Sequence, residues 1–285
     1  MHILFHTAEH AFIDSIKILP FIFLVYMLIE YLEHINNTDL SHLMMKSKKS
    51  GIVLGGLLGI IPQCGFSVIA ADLFSKKSIS MGALIAIFIA TSDEAIPILL
   101  SNPQTAMVLV KVIPLKLAIA IITGFLVDII IKNNSHKHVC TEEHHHEHFH
   151  GNCESCDGGI LKSTIVHTLK IFAFIFASTF IIDFIIEFAG KEVLFELLLK
   201  DSPIQPFIAS LIGLIPNCAS SVILTQSYVS GALSLGALIA GLCSGSGVGL
   251  LLLFQRNHNL KENLKILSIL YLSGAIFGTI IHLIF

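Results

Sequence analysis

The sequence predicts an all-α, multi-pass membrane protein: two inverted repeats of about five membrane helices each, with a broken or re-entrant helical hairpin (P-[QN]-C) in each repeat. Three observations carry this reading. Of the 285 residues, 54% are hydrophobic and only 13% charged, too few charges to cover a soluble domain. Several apolar runs reach the roughly 20 residues a helix needs to cross a bilayer. The chain also repeats itself: residues 59–86 align without gaps to residues 213–240, with 13 of 28 positions identical at an offset of 154.

The elements follow in order. Membrane repeat 1 occupies residues 1–131, with spans at 10–33, 80–100 and 107–131 and the broken segment at 51–75. A His/Cys-rich cytoplasmic linker fills 132–163. Membrane repeat 2 occupies 164–285, with spans at 164–188, 232–254 and 264–285 and its broken segment at 204–226. The first apolar run follows His2, His6, Glu9 and His10 without a basic leader, so it reads as a span, not a cleavable signal. No phosphate-binding glycine motif is present. A net charge of −3 gives nucleic acid no footprint. Neither a nucleotide nor a nucleic acid is an expected partner.

Charge arbitrates the topology, because Lys and Arg favour cytoplasmic loops. If each broken segment turns back, twelve of the 17 basic residues fall inside, among them Lys76, Lys77, Arg256, Lys261 and Lys265. Lys17, Lys111, Lys116, Lys191 and Lys200 fall outside. If the segments cross, the bias nearly vanishes. Re-entrant hairpins are therefore expected, with the second repeat inverted relative to the first.

The two broken segments read GIIPQCGFS (Gly59–Ser67) and GLIPNCASS (Gly213–Ser221). Proline removes an N–H and stops the helix, and backbone groups freed in hydrocarbon need partners or a cavity. Gln63 and Asn217 add amide oxygens, Cys64 and Cys218 soft sulfur, and Ser67, Ser220 and Ser221 hydroxyls. That donor set suits a metal ion or a thiophilic species. The plainer reading is a kinked helix with a small buried Cys. Return of P-[QN]-C in both halves favours function.

Ala90–Pro97 (ATSDEAIP) places Ser92, Asp93 and Glu94 deep in a span, where charge is costly and usually functional. The aligned stretch Cys243–Gly249 has no acid, so the expected pathway is lopsided, and its carboxylates suit a cation or a carried proton. His10 and Glu30, like His167 and Glu187, are twenty residues apart and read as interfacial anchors, with a proton relay as the alternative. Asp128 and His282 hold aligned positions near helix ends.

The linker carries His136, His138, Cys140, His144, His145, His146, His148, His150, Cys153 and Cys156 beside several carboxylates. Imidazole, thiolate and carboxylate together bind borderline divalent cations. The irregular spacing points to a flexible capture tract, not one closed tetrahedral site.

Leu19–His34, Gly56–Phe74, the TSDE tetrad within Thr91–Ser101, Gly213–Ile223, Gly236–Asn257 and the His/Cys linker together resemble the ten-helix heavy-metal exporters, also known as arsenic efflux proteins or manganese transporters. The resemblance implies export, and the residues add a gradient-driven mechanism. The expected protein is a secondary transporter in the cytoplasmic (inner) membrane, not an enzyme. It moves heavy-metal or divalent cations, Mn-like by its oxygen donors, with no prosthetic group. Metal ions such as Mn or Zn and the lipid bilayer are the expected partners, and a homo-oligomer is compatible with the sequence. Arsenite or organoarsenical efflux is the nearest alternative, and a membrane-bound metal sensor without transport is an alternative of another class.

Overall fold

Short polar side chains decide where these helices begin. The structure, a computed structural model, describes residues 48–60, 65–91, 95–101, 103–135 and 203–284, with isolated helical positions between 20 and 27 and between 169 and 181. The first half holds α1 (Lys48–Gly59), α2 (Gly65–Ser75), α3 (Met81–Ala90), α4 (Ala95–Ser101) and α5 (Pro103–Ser135). The second holds α6 (Gln205–Gly213), α7 (Cys218–Val229), α8 (Leu235–Ser244), α9 (Gly249–Arg256) and α10 (Leu260–Ile284). The described residues are helical, without strands, and the five helices of one half match those of the other in order.

Ser80 and Ser234 cap the twin helices α3 and α8, their hydroxyls accepting from Ala83 N and Ala237 N. Such caps satisfy amides that have no partner within the helix. On α5, Asp128 accepts from Ser80 Oγ and Gly82 N, both at 2.8 Å. At the twin position on α10, the His282 ring lies 2.8 Å from Ser234 Oγ. Asp128 and His282 therefore do sit at helix ends, where each ties a long helix to the start of a short one. A carboxylate at a helix N-terminus also complements its dipole.

Four stretches are long and apolar enough to cross a membrane: Met81–Leu100, Thr105–Ile131, Leu235–Arg256 and Leu260–Ile284. They match the spans expected at 80–100, 107–131, 232–254 and 264–285. Two of them are not plain spans. α3 stops at Thr91, which has an extended backbone, and Thr91 N and Oγ1 both donate to the Ile87 carbonyl. α8 stops at Gly245, also extended, and the chain passes Gly247 at φ 53 before α9. The spans expected at 10–33 and 164–188 lie almost wholly outside the described residues. Phe172, Phe176 and Phe180 stack there at helical spacing, with ring centroids 6.5 and 6.3 Å apart.

In the second half the residues that flank α6 and α7 meet. Gln205, at the start of α6, donates to the Ala232 carbonyl at 3.0 Å and accepts from Ser234 N at 3.1 Å. Residues on either side of α6 and α7 therefore meet at one level. A straight helix of that length would hold them more than about 30 Å apart. Gly231, at φ 75, ends α7 in a left-handed turn, which glycine adopts without steric cost. In the first half, a Cβ on Gly55 would sit 2.9 Å from the Ile87 side chain and one on Gly59 2.8 Å from Ala90 Cβ. α1 thus runs parallel to α3.

Across the halves, α2 and α9 lie side by side in the same direction. A Cβ on Gly249 would lie 2.7 Å from Ser67, and further along Arg256 Nε lies 3.8 Å from Asp72 Oδ1. Lys76 Nζ is 3.2 Å from the same carboxylate. The end of α2, the start of α3 and the loop after α9 are thereby gathered at one end of the bundle, with Lys76, Lys77, Arg256 and Lys261. Polar side chains such as Ser67, Ser210, Asn217, Ser227 and Ser244 are buried, while Met107 and Leu283 are each 77% exposed. Polar inside and apolar outside is the pattern of a chain whose solvent is lipid.

Two outcomes test this packing. Alanine at Gly213 would collide with the Gly241 carbonyl and Ser244 Oγ, so Gly213→Ala is expected to lower the unfolding temperature, with overpacking costing roughly 1–3 kcal/mol. Gly51, whose Cβ would meet nothing within 4 Å, tolerates the same change in the same melt. In whole cells, single cysteines at Lys77 and Asn259 are expected to react with a membrane-impermeant maleimide from one side, and a cysteine at Gln104 from the other. Labelling of all three from one side would exclude this arrangement.

Candidate functional site

The site is built from helix ends. The C-termini of α1 and α3 meet where Gly59 packs on Ile87 and Ala90. The C-termini of α6 and α8 meet likewise, because Gly213 packs on Gly241 and Ser244 Oγ donates to the Ser210 carbonyl at 2.7 Å. The N-termini of α2 and α9 abut at Ser67 and Gly249, and α7 packs reciprocally on α4. The P-[QN]-C breaks and the breaks after α3 and α8 thus open from adjacent helix ends. Carbonyl ends carry partial negative charge and amide ends partial positive charge.

Asn217 is buried and caps α7, its Oδ1 accepting from Ala219 N at 3.3 Å. Ser220 Oγ turns back to the Asn217 carbonyl at 2.8 Å and the Ile215 carbonyl at 3.2 Å. The break between α6 and α7 is therefore held by its own polar side chains. Cys218, half-buried, begins α7 beside this cap, while Ser221 is half-buried and Ser67 fully buried. The structure accordingly brings Ser67, Asn217, Cys218 and Ser221 to the helix ends. Gln63, Cys64, Ser92, Asp93 and Glu94 lie outside the described residues. So do His10, Glu30, His167, Glu187 and the linker ligands from His136 to Cys156. Among the described residues, no three of His, Cys, Asp and Glu come together as a metal-binding group.

Lys116 corrects the sequence reading. Counting loop charges puts it outside the membrane, yet it is 2% exposed in the middle of α5. Its ammonium donates to the Thr91 carbonyl at 2.6 Å and the Leu242 carbonyl at 2.9 Å. One cation therefore joins the carbonyl end of α3, from the first half, to that of α8, from the second. The balance of lysines across the membrane cannot reveal this, because snorkelling and bridging lysines count alike. The available signal was position: Lys116 stands thirteen residues into an apolar helix, two after Pro114, too deep for an interface. Its twin position is Leu270, fully buried. At this level of the long helix the charge is present in the first half and absent from the second.

The cap gives a stability test. Asn217→Ala is expected to cost about 0.5–2 kcal/mol and Asn217→Asp much less, since a carboxylate also caps. Thermal melts of the purified variants would measure it, and equal losses would mean the amide acts otherwise than as a cap.

With this geometry in hand, comparison with known proteins gives one match. A family model described as "Putative, 10TM heavy-metal exporter" matches residues 1–191 and 160–285. No curated protein and no solved structure matches the chain.

Proposed function

The chain belongs to this heavy-metal exporter family, and from that premise we propose that it is a gradient-driven secondary transporter moving divalent metal cations, Mn-like, out of the cytoplasm. The observation that carries the proposal is the meeting of half-helix ends from both repeats around one buried ammonium. Discontinuous helices meeting inside a bundle are how many secondary transporters make ion sites.

The proposal includes membrane topology. The doubling-back of α6 and α7 and the parallel course of α2 and α9 support re-entrant hairpins in two inverted repeats. The end that gathers Lys76, Arg256 and Lys261 then faces the cytoplasm of an inner membrane. Metal is collected by the His/Cys tract of residues 136–156 and passed to a midplane site of Gln63, Cys64, Asn217, Cys218, Asp93 and Glu94, flanked by Ser67, Ser92 and Ser221. Rocking of the repeats exposes that site outward, and Asp93 or Glu94 returns the proton. Oxygen donors favour Mn(II), and the thiols draw softer ions.

Cells expressing wild type, the Cys64→Ala/Cys218→Ala variant or the Asp93→Asn/Glu94→Gln variant test this by total-metal mass spectrometry after exposure to Mn, Zn, Co, Ni, Cd or arsenite. Wild type is expected to lower the content of one divalent cation several-fold, and the acid variant to abolish the effect. Loss of arsenite alone, abolished only by the thiol variant, would replace this reading with arsenic efflux. No change in any metal would favour a sensor.

A further inference from the structure

We infer that the carbonyl ends of α3 and α8 form a cation seat of their own, and that the Lys116 ammonium occupies it as a tethered stand-in that a free cation displaces. The inference rests on the export reading only for the identity of the displacing ion.

The carbonyls come first. Thr91 is the residue after α3, and Leu242 lies in the last turn of α8. Carbonyls in these positions have no partner within their own helix. Both lie at the negative end of a helix dipole, and both are deep in the bundle, away from water. Two such oxygens facing one point attract a cation of any kind. Here that cation is the side chain from α5, at 2.6 and 2.9 Å.

The duplication supplies an internal control. At the position of Leu270, α10 packs on α8 as α5 packs on α3, and there an apolar side chain fills the space completely. The fold therefore does not need an ammonium at this point in the long helix. Burying one is costly, so its presence goes with the carbonyls it meets.

A second observation lies in the break itself. Ser246, four residues past Leu242, is 2% exposed, and its hydroxyl has no hydrogen-bond partner among the described residues. It is the twin of Ser92, which immediately follows Thr91 and precedes Asp93 and Glu94. Two backbone carbonyls and, in the same break, the buried Ser246 hydroxyl are all oxygen donors. Such a set takes hard cations: alkali ions, Mg, Ca or Mn. A cargo cation arriving there releases the ammonium. When the cargo leaves, the ammonium returns, so the carbonyl ends are never left bare in hydrocarbon.

The test uses purified full-length protein in lipid nanodiscs and reads stability, not transport. Wild type, Lys116→Met, Lys116→Gln and Lys116→Arg are melted in choline chloride and in potassium chloride, with thallous ion as a second probe. Lys116→Met is expected to melt lower than wild type in choline and to recover by several degrees in potassium or thallous salt, because a ligand that binds only the folded state raises Tm. Lys116→Gln, which keeps a donor and guards against a variant that does not fold, is expected to show the same response in smaller measure. Wild type and Lys116→Arg are expected to gain less from the same salts, because there the cation must first displace the tethered charge. Variants that lose stability equally in both salts would make Lys116 a structural tether only and overturn the inference. So would variants as stable as wild type in choline, or a wild type that responds as they do. Each result stands whether or not manganese is exported.

Discussion

A helix that stops inside hydrocarbon leaves carbonyls and amides that lipid cannot satisfy. The rest of this bundle follows from that constraint. Each described half contains two such stops, one after α1 or α6 and one after α3 or α8. None of these helices is long enough to cross alone: α1 has 12 residues and α3 has 10, about 18 and 15 Å. The free ends are brought together so that they satisfy one another or are met by Asn217, Ser220, Ser244 and Lys116. The same grouping makes the centre of the protein polar while its rim stays apolar.

Divergence of the two halves is where the chemistry enters. The backbone plan is kept: Gly82 packs on Gly124 as Gly236 packs on Gly278, and Ser80 caps as Ser234 does. The charged side chains are not kept. Lys116 faces a twin leucine, Asp93 a twin glycine, Glu94 a twin valine and Asp72 a twin glutamine. At these four positions the first repeat carries an ionisable group where the second has none. A charge set mirrored in both halves would place like charges together near the centre of the bundle, where screening is weak.

Much of this was legible in the sequence. The repeat at an offset of 154 pointed to the four described spans and to the break at Pro216, because proline and glycine act locally. Lysine counting pointed to re-entrant segments, and the contacts of Gln205 with Ala232 and Ser234 are compatible with that in the second half. Two things were hidden. The break after Thr91 has no proline at the stop itself, and a threonine whose hydroxyl and amide both return to Ile87 looks like any helical threonine. Lys116 was hidden because its partners are backbone carbonyls, which any sequence supplies, so only the packing of α5 against α3 and α8 gives it a role.

The packing also indicates which parts can move. Within each half, close glycine contacts lock the long helix to the short ones, leaving no room for sliding: α5 against α3 at Gly124, α10 against α8 at Gly274 and Gly278. Between the halves an apolar core is shared, with Ser67 close on Gly249, and the polar ties include Asp72 with Arg256 at 3.8 Å and the ammonium of Lys116 on Leu242. Polar ties can be exchanged for others at small net cost, whereas interdigitated backbone cannot. On the proposed rocking mechanism the two halves would move as bodies about this shared seam. The helix ends lie on that seam, so motion of one half against the other reshapes the polar centre directly. On that reading the contact to yield first would be the bond of Lys116 to Leu242, whose two sides belong to different halves.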